Sequence, residues 1–200
     1  MKIALYRGKS LVSYAIRWIT RSPYSHAAFC FDTNSRADLG AMYLYGDRSL
    51  NHRRADRLKD FAWRCASGLW PLAMGDLSGP VIEAWQGGVK CSPSLSTLHT
   101  PGTPVDIFEF EIPLDALEER QLIAALADDI GDPYSYLNVL RFITRTPGRE
   151  DGSWFCSELV FQRCADIGRR LLERKKAWEV PPDWIQMSPQ LRFEQQILTT

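Results

Sequence analysis

The chain of 200 residues is short of several things, and each shortage closes off a class of function. It has no surplus charge: 24 Lys plus Arg balance 24 Asp plus Glu. A nucleic-acid partner, whose phosphates call for a basic excess, is therefore not expected. No uninterrupted apolar run approaches the roughly 18 residues of a membrane span, so no integral membrane segment is expected. Arg7 and Lys9 follow Lys2 before a signal-peptide apolar core can develop, and the expected location is cytoplasmic. Cysteine is sparse and scattered, at positions 30, 65, 91, 156 and 164 with no CxxC pair. An odd count in that pattern predicts reduced thiols, not a disulfide framework. There is no internal repeat and no low-complexity tract.

What is present is ordinary globular material, 45% hydrophobic and 24% charged. A chain of this size can bury roughly 70% of its unfolded surface, so a core needs no staples. The charge is unevenly placed. Residues 1–100 carry 13 basic and 7 acidic groups, and residues 101–200 carry 11 and 17. Oppositely charged halves favour packing on each other, which predicts a single domain over 1–200, with an insertion at about 33–79.

Periodicity predicts a strand at 2–6, then a helix from a Ser10 cap to about Ile19, and a strand at 24–31. Further strands are expected at 80–85, closed by Gln86-Gly87-Gly88, and at 105–112. The clearest helix is 114–130, with Leu117, Leu122, Ile123, Leu126, Ala127 and Ile130 in one stripe and Gly131 as its stop. Within the insertion Leu58, Phe61, Ala62, Cys65 and Leu69 recur at helical spacing. Residues 132–152 read as loop, followed by a helix capped by Ser153 and running to about Leu171. Pro181-Pro182 is expected to end regular structure, leaving a tail of loop and short helix. The order fits an α+β domain with helices on a mostly antiparallel sheet.

Three residues stand out chemically. Cys156, in Ser153-Trp-Phe-Cys-Ser-Glu-Leu-Val160, falls in a first helical turn, where backbone N–H groups and the helix dipole favour negative charge. That placement suits a nucleophile and an oxyanion, although cysteine is also a common buried hydrophobe, as Cys164 further along the same helix illustrates. His26 opens the segment Tyr24-Ser-His-Ala-Ala-Phe, and imidazole is the natural base for a thiol. Small Ala27 and Ala28 leave room for a helix to approach. Glu83, flanked by Val81, Ile82, Ala84 and Trp85, needs a buried partner or a solvated sheet face; an imidazole N–H would be such a partner. His52, among arginines, and His99, in a Ser/Thr/Pro loop, are expected to be solvated. No metal site is expected, because His26 and Cys30 are about 13 Å apart on an extended strand. Cys91 with His99 supplies only two ligands. No other cofactor is expected. Arg53, Arg54 and Arg57, interleaved with Asp56 and Asp60, read as a solvated helix face. Arg169, Arg170, Arg174, Lys175 and Lys176 read as complements to a helix C-terminus.

In that order His26, Glu83 and Cys156 resemble the circularly permuted papain-like amidases of the NlpC/P60 superfamily, YaeF/YiiX-type. The matching segments are Tyr24-Ser-His-Ala-Ala-Phe, Val81-Ile-Glu-Ala-Trp with Gly88-Val89, Ile130-Gly-Asp-Pro-Tyr134, and Phe155-Cys-Ser-Glu-Leu-Val160. The Pro182–Leu191 stretch is also similar. The resemblance implies a sheet of about five antiparallel strands with the cysteine helix packed across it. It implies Cys156 as nucleophile, His26 as base and then acid, Glu83 as orienting group, and Tyr134 at the cleft or oxyanion. The expected activity is that of a cysteine hydrolase acting on a peptide, acyl-amide or lipid-like substrate through an acyl-enzyme. An acyltransferase, or a binding domain that keeps the fold without turnover, is the alternative. The long 33–79 stretch departs from the family pattern.

Overall fold

In the computed structural model the described residues are 1–31, 81–92, 94–136 and 152–200. The insertion, with its expected helix, His52, Cys65 and the Arg53, Arg54 and Arg57 cluster, lies outside them.

Among the described residues six antiparallel strands form one sheet in the order β4-β3-β2-β1-β5-β6. They are β1 (Lys2–Tyr6), β2 (His26–Cys30), β3 (Val81–Trp85), β4 (Gly88–Ser92), β5 (Pro104–Phe110) and β6 (Leu191–Leu198). Among the described residues the helices are α1 (Leu11–Thr20), α2 (Ala116–Asp129), α3 (Cys156–Asp166) and the short α4 (Pro182–Ile185), with a 3-10 turn at Ala177–Glu179.

Local chemistry explains most of these boundaries. The Ser10 side chain accepts from the Ser13 N–H and starts α1 as expected. Asp115 and Glu118 form a reciprocal capping box at the start of α2. The turn after β3 uses Gly87 at φ 87° and Gly88 at φ 124°, conformations that side chains resist. A Cβ on Gly88 would also run into the backbone oxygen of Asp132. That closeness matters, because Val89 N–H donates to Asp132 O at 2.9 Å and Gly131 N–H donates to Val89 O at 2.9 Å. Strand β4 thereby holds the segment that leads to Tyr134.

Alternation along the strands gives the sheet two apolar faces. Ile3, Leu5, Ala27, Phe29, Ile82, Ala84, Phe108 and Phe110 form one core with α2 and α3, through Leu122, Ile123, Leu126, Leu159, Val160, Phe161 and Cys164. Ala4, Tyr6, Ala28, Cys30, Val81, Val105 and Ile107 face the other way, under Leu95. Helix α3 packs on β2 and β3, which carry the candidate histidine and glutamate. A bidentate pair, Arg163 Nε and Nη2 to Asp129 at 2.6 Å each, ties α3 to α2. Arg163 also lies 4.8 Å over the Trp154 ring, just before the cysteine.

Four expectations need correction. The N-cap of α3 is Phe155, not Ser153, and Cys156 is therefore the first helical residue. The helix ends at Asp166 instead of Leu171, because Gly168 turns the chain at φ 81°. Arg169 then leaves the helix end altogether and clamps Glu118 of α2 with two bonds of 2.7 Å. Pro182 does not end regular structure: its fixed φ starts α4, and β6 follows. No disulfide joins the described cysteines 30, 91, 156 and 164.

Candidate active site

The three residues singled out in sequence come from three separated stretches of chain, and the sheet brings them together. His26 is the first residue of β2 and Cys156 the first of α3, so two element starts meet. Glu83, at the middle of β3, is only 1% exposed. Its Oε2 accepts from His26 Nε2 at 2.7 Å. With Nε2 committed to the carboxylate, Nδ1 is left for the neighbouring Cys156, whose sulfur interacts with the same imidazole. Cys156, His26 and Glu83 thus sit together out of water, with His26 in the middle.

Electrostatics follow from that contact order. Burial by itself would lower the His26 pKa, but the adjacent Cys156 sulfur and the Glu83 carboxylate outweigh it and raise it to about 9. Burial would likewise raise Glu83, yet the bonds from His26 and His99 hold it down at about 2. An imidazolium and a carboxylate therefore coexist out of water at neutral pH.

His99 is a fourth member that sequence reading missed. Its loop is polar, but the side chain is buried, and Nε2 donates to Glu83 Oε2 at 3.1 Å. It stacks on Tyr6 with 3.8 Å between ring centroids and meets Trp85 edge-on at 4.7 Å. Burial and the nearby His26 charge lower its pKa in spite of Glu83, so it is a neutral donor. Ser92 Oγ donates to the other carboxylate oxygen at 3.3 Å. Glu83 is thus fixed by two imidazoles and a hydroxyl. The only sequence signal for His99 was that histidine is so scarce; nothing in Ser96-Thr-Leu-His-Thr100 marks it as buried. Expecting it to be solvated was wrong because its burial comes from β1 and β3, remote in sequence.

Tyr134 stands beside the cysteine. A parallel bridge pairs it with Trp154, and Ser135 N–H donates to Trp154 O at 2.9 Å. Burial and the neighbouring Cys156 sulfur raise its phenol well above the ordinary range, so it remains an O–H donor. Cys164, by contrast, is wholly inside the core, where burial raises its thiol pKa and keeps it neutral.

No metal site was expected from the sequence. The structure nevertheless places a ring nitrogen of His26, a Glu83 oxygen and a ring nitrogen of His99 within 4.8 Å of one another.

No protein-family model matches the chain, and no curated protein matches it. Among solved structures, the fold is similar to that of the metalloprotein yiiX from Escherichia coli O157:H7, described as DUF1105, with a TM-score of 0.58. The two are 16% identical, and the likeness covers 98% of this chain and 96% of that one. The expectation of a YiiX-like fold agrees with this, over nearly the whole length of both chains.

Proposed function

We propose that the protein is a cysteine hydrolase of permuted papain-like, NlpC/P60-type design, cleaving an amide or ester through an acyl-enzyme on Cys156. The observation that carries this reading is the His26 imidazole held between the Cys156 thiol and the buried Glu83 carboxylate. In the reaction, the Cys156 thiolate attacks the carbonyl carbon, and the carbonyl electron pair moves to oxygen. Backbone N–H groups at the start of α3 face that oxygen, with the Tyr134 hydroxyl as a second donor. Collapse of the intermediate breaks the bond to the leaving group, which takes its proton from His26. Water then gives a proton to His26, attacks the thioester and releases the acid and the thiolate. An alcohol or amine in place of water would make the same site an acyltransferase.

The pH dependence has a fixed sign. His26 must hold a proton to give to the leaving group, so turnover should fall as pH rises through about 9. Iodoacetamide labelling of Cys156 at neutral pH, read by peptide mass spectrometry, should be faster in the wild type than in His26→Ala. A labelling profile indifferent to His26 would move the reading to a binding domain of the same fold.

A second reading rests on the three converging donors and on the description of yiiX as a metalloprotein. Two imidazole nitrogens and one carboxylate oxygen are the donor set of zinc sites with an open position. His26, Glu83 and His99 fit such an ion in kind, and it would supply Lewis-acid polarisation there. Glu83 accepts from both imidazoles in the hydrolase reading, so the two states compete for it. Calorimetric titration with zinc chloride separates them. Saturable one-to-one binding lost in His99→Ala, with labelling of Cys156 suppressed by the metal, favours the metal site. Heat-silent titration favours the triad.

A further inference from the structure

Helix α1 is built inside out. None of its ten residues is buried, and its exposed arc is apolar: Leu11 is 88% exposed, Trp18 83%, Val12 56% and Tyr14 55%. At 100° per residue these four, with exposed Ala15, cover one side of the helix. The polar side chains bond to backbone: Arg17 Nη1 donates to Gly8 O at 3.5 Å and Thr20 Oγ1 donates to Ile16 O of the same helix at 2.8 Å. A helix that serves only its own fold would be rotated the other way.

The charge around it is one-sided. Residues 1–31 contain five Lys or Arg and no Asp or Glu. Lys2 and Arg7 are paired with Glu194 and Asp106. Among the described residues, Lys9, Arg17 and Arg21 meet no carboxylate. Lys9 and Arg21 are exposed at the two ends of the helix, and Arg17 lies 5.5 Å over the Tyr14 ring at the border of the apolar arc. An aromatic and aliphatic face rimmed by cations is the pattern of a helix lying in a membrane interface, where apolar burial and attraction to anionic headgroups add.

The helix is also tied to the site. Tyr6, which ends β1, pairs with His26, and Gly8 N–H donates to Ser25 Oγ at 3.1 Å. The Ser13 and Ser25 hydroxyls occupy the space that a Cβ on Gly8 would take. The first turn of α1 is therefore set directly against the strand that carries His26.

We propose that α1 is an interfacial helix that docks the protein on an anionic phospholipid bilayer surface. This deepens the hydrolase reading by setting the site against acyl-lipid amides or esters.

The test is sedimentation with large vesicles, using full-length Cys156→Ala protein so that lipid turnover cannot interfere. Vesicles of phosphatidylcholine containing one third phosphatidylglycerol should pellet the protein, and those of phosphatidylcholine alone should bind it more weakly. The double variant Leu11→Ser, Trp18→Ser should lose at least about tenfold in partitioning with its thermal midpoint unchanged, both positions being exposed. Equal binding by the double variant, or no binding to either vesicle, overturns the proposal. So does a wild-type dimer that the double variant dissociates, since a second copy would then be the occupant. Seven tryptophans are present, so the Trp18 signal is taken as the difference from Trp18→Phe. Iodide must quench it in vesicle-free buffer; a shielded Trp18 means that the chain itself covers α1. Failure of docking leaves turnover of a soluble ester untouched, so it is distinguishable from failure of the hydrolase reading.

Discussion

Cys156→Ala is expected to lower turnover of any amide or ester substrate by roughly 10⁴- to 10⁶-fold, the range for removing a nucleophile from an assembled triad. The fold should survive, because alanine keeps the first residue of α3 helical and removes only a sulfur from a largely buried position. The decisive comparison is between turnover and binding of a substrate analogue in the same preparation. Lost turnover with binding retained supports the acyl-enzyme. Undiminished turnover sinks it, and would direct attention to the His26, Glu83 and His99 donors. The size of the loss follows from the chemistry. The oxyanion donors and His26 remain in place, but no atom is left to form the covalent intermediate.

Glu83→Gln should be the second largest change, and it acts on both rate and stability. Glutamine keeps the shape and can still accept from one imidazole, but the charge that stabilises the His26 imidazolium is gone. Turnover should fall roughly 10²- to 10⁴-fold, and its alkaline limb should move below the wild-type value of about 9. The stability signature has two sides. Glu83 is lowered from 4.5 to about 2, so its contribution is present above pH 4.5 and is lost as pH falls toward 2. His26 is raised from 6.5 to about 9, so its contribution is complete below pH 6.5 and is lost as pH rises through 9. Wild-type thermal midpoints should therefore peak between about pH 4.5 and 6.5, and Glu83→Gln should flatten that peak. Superimposable midpoint-against-pH curves for the two proteins would contradict the pairing. Glu83→Ala should be worse than Glu83→Gln by a few kcal/mol, since it leaves two buried imidazoles without their acceptor.

The legible parts of this protein are those set by neighbours in sequence. Ser10, Asp115 and the Gln86-Gly87-Gly88 turn carry their own conformational instructions, and Leu122, Ile123, Leu126 and Ala127 of the α2 stripe announce its buried face, while Leu117, expected in that stripe, is exposed. The scarcity of plausible nucleophiles and bases made Cys156, His26 and Glu83 stand out before any geometry was known. Strand β6 was hidden for the opposite reason. Its residues, Leu-Arg-Phe-Glu-Gln-Gln-Ile-Leu, are mostly exposed at a sheet edge. Its strand state comes from pairing with β5 and not from an alternating pattern. The end of α3 was misplaced because amphipathic spacing continued past Gly168, and only the backbone shows that glycine turning the chain.

By itself the sequence determined most of the element types, the α+β class and the three residues able to carry thiol chemistry, because periodicity, capping and side-chain chemistry act over a few residues. Only the tertiary structure decided that β2, β3 and α3 converge, that His99 leaves solvent to share Glu83, and that α1 turns its apolar side outward. Those outcomes depend on which distant surfaces pack together. Burial, which sets the His26 and Glu83 charges, exists only once they have done so.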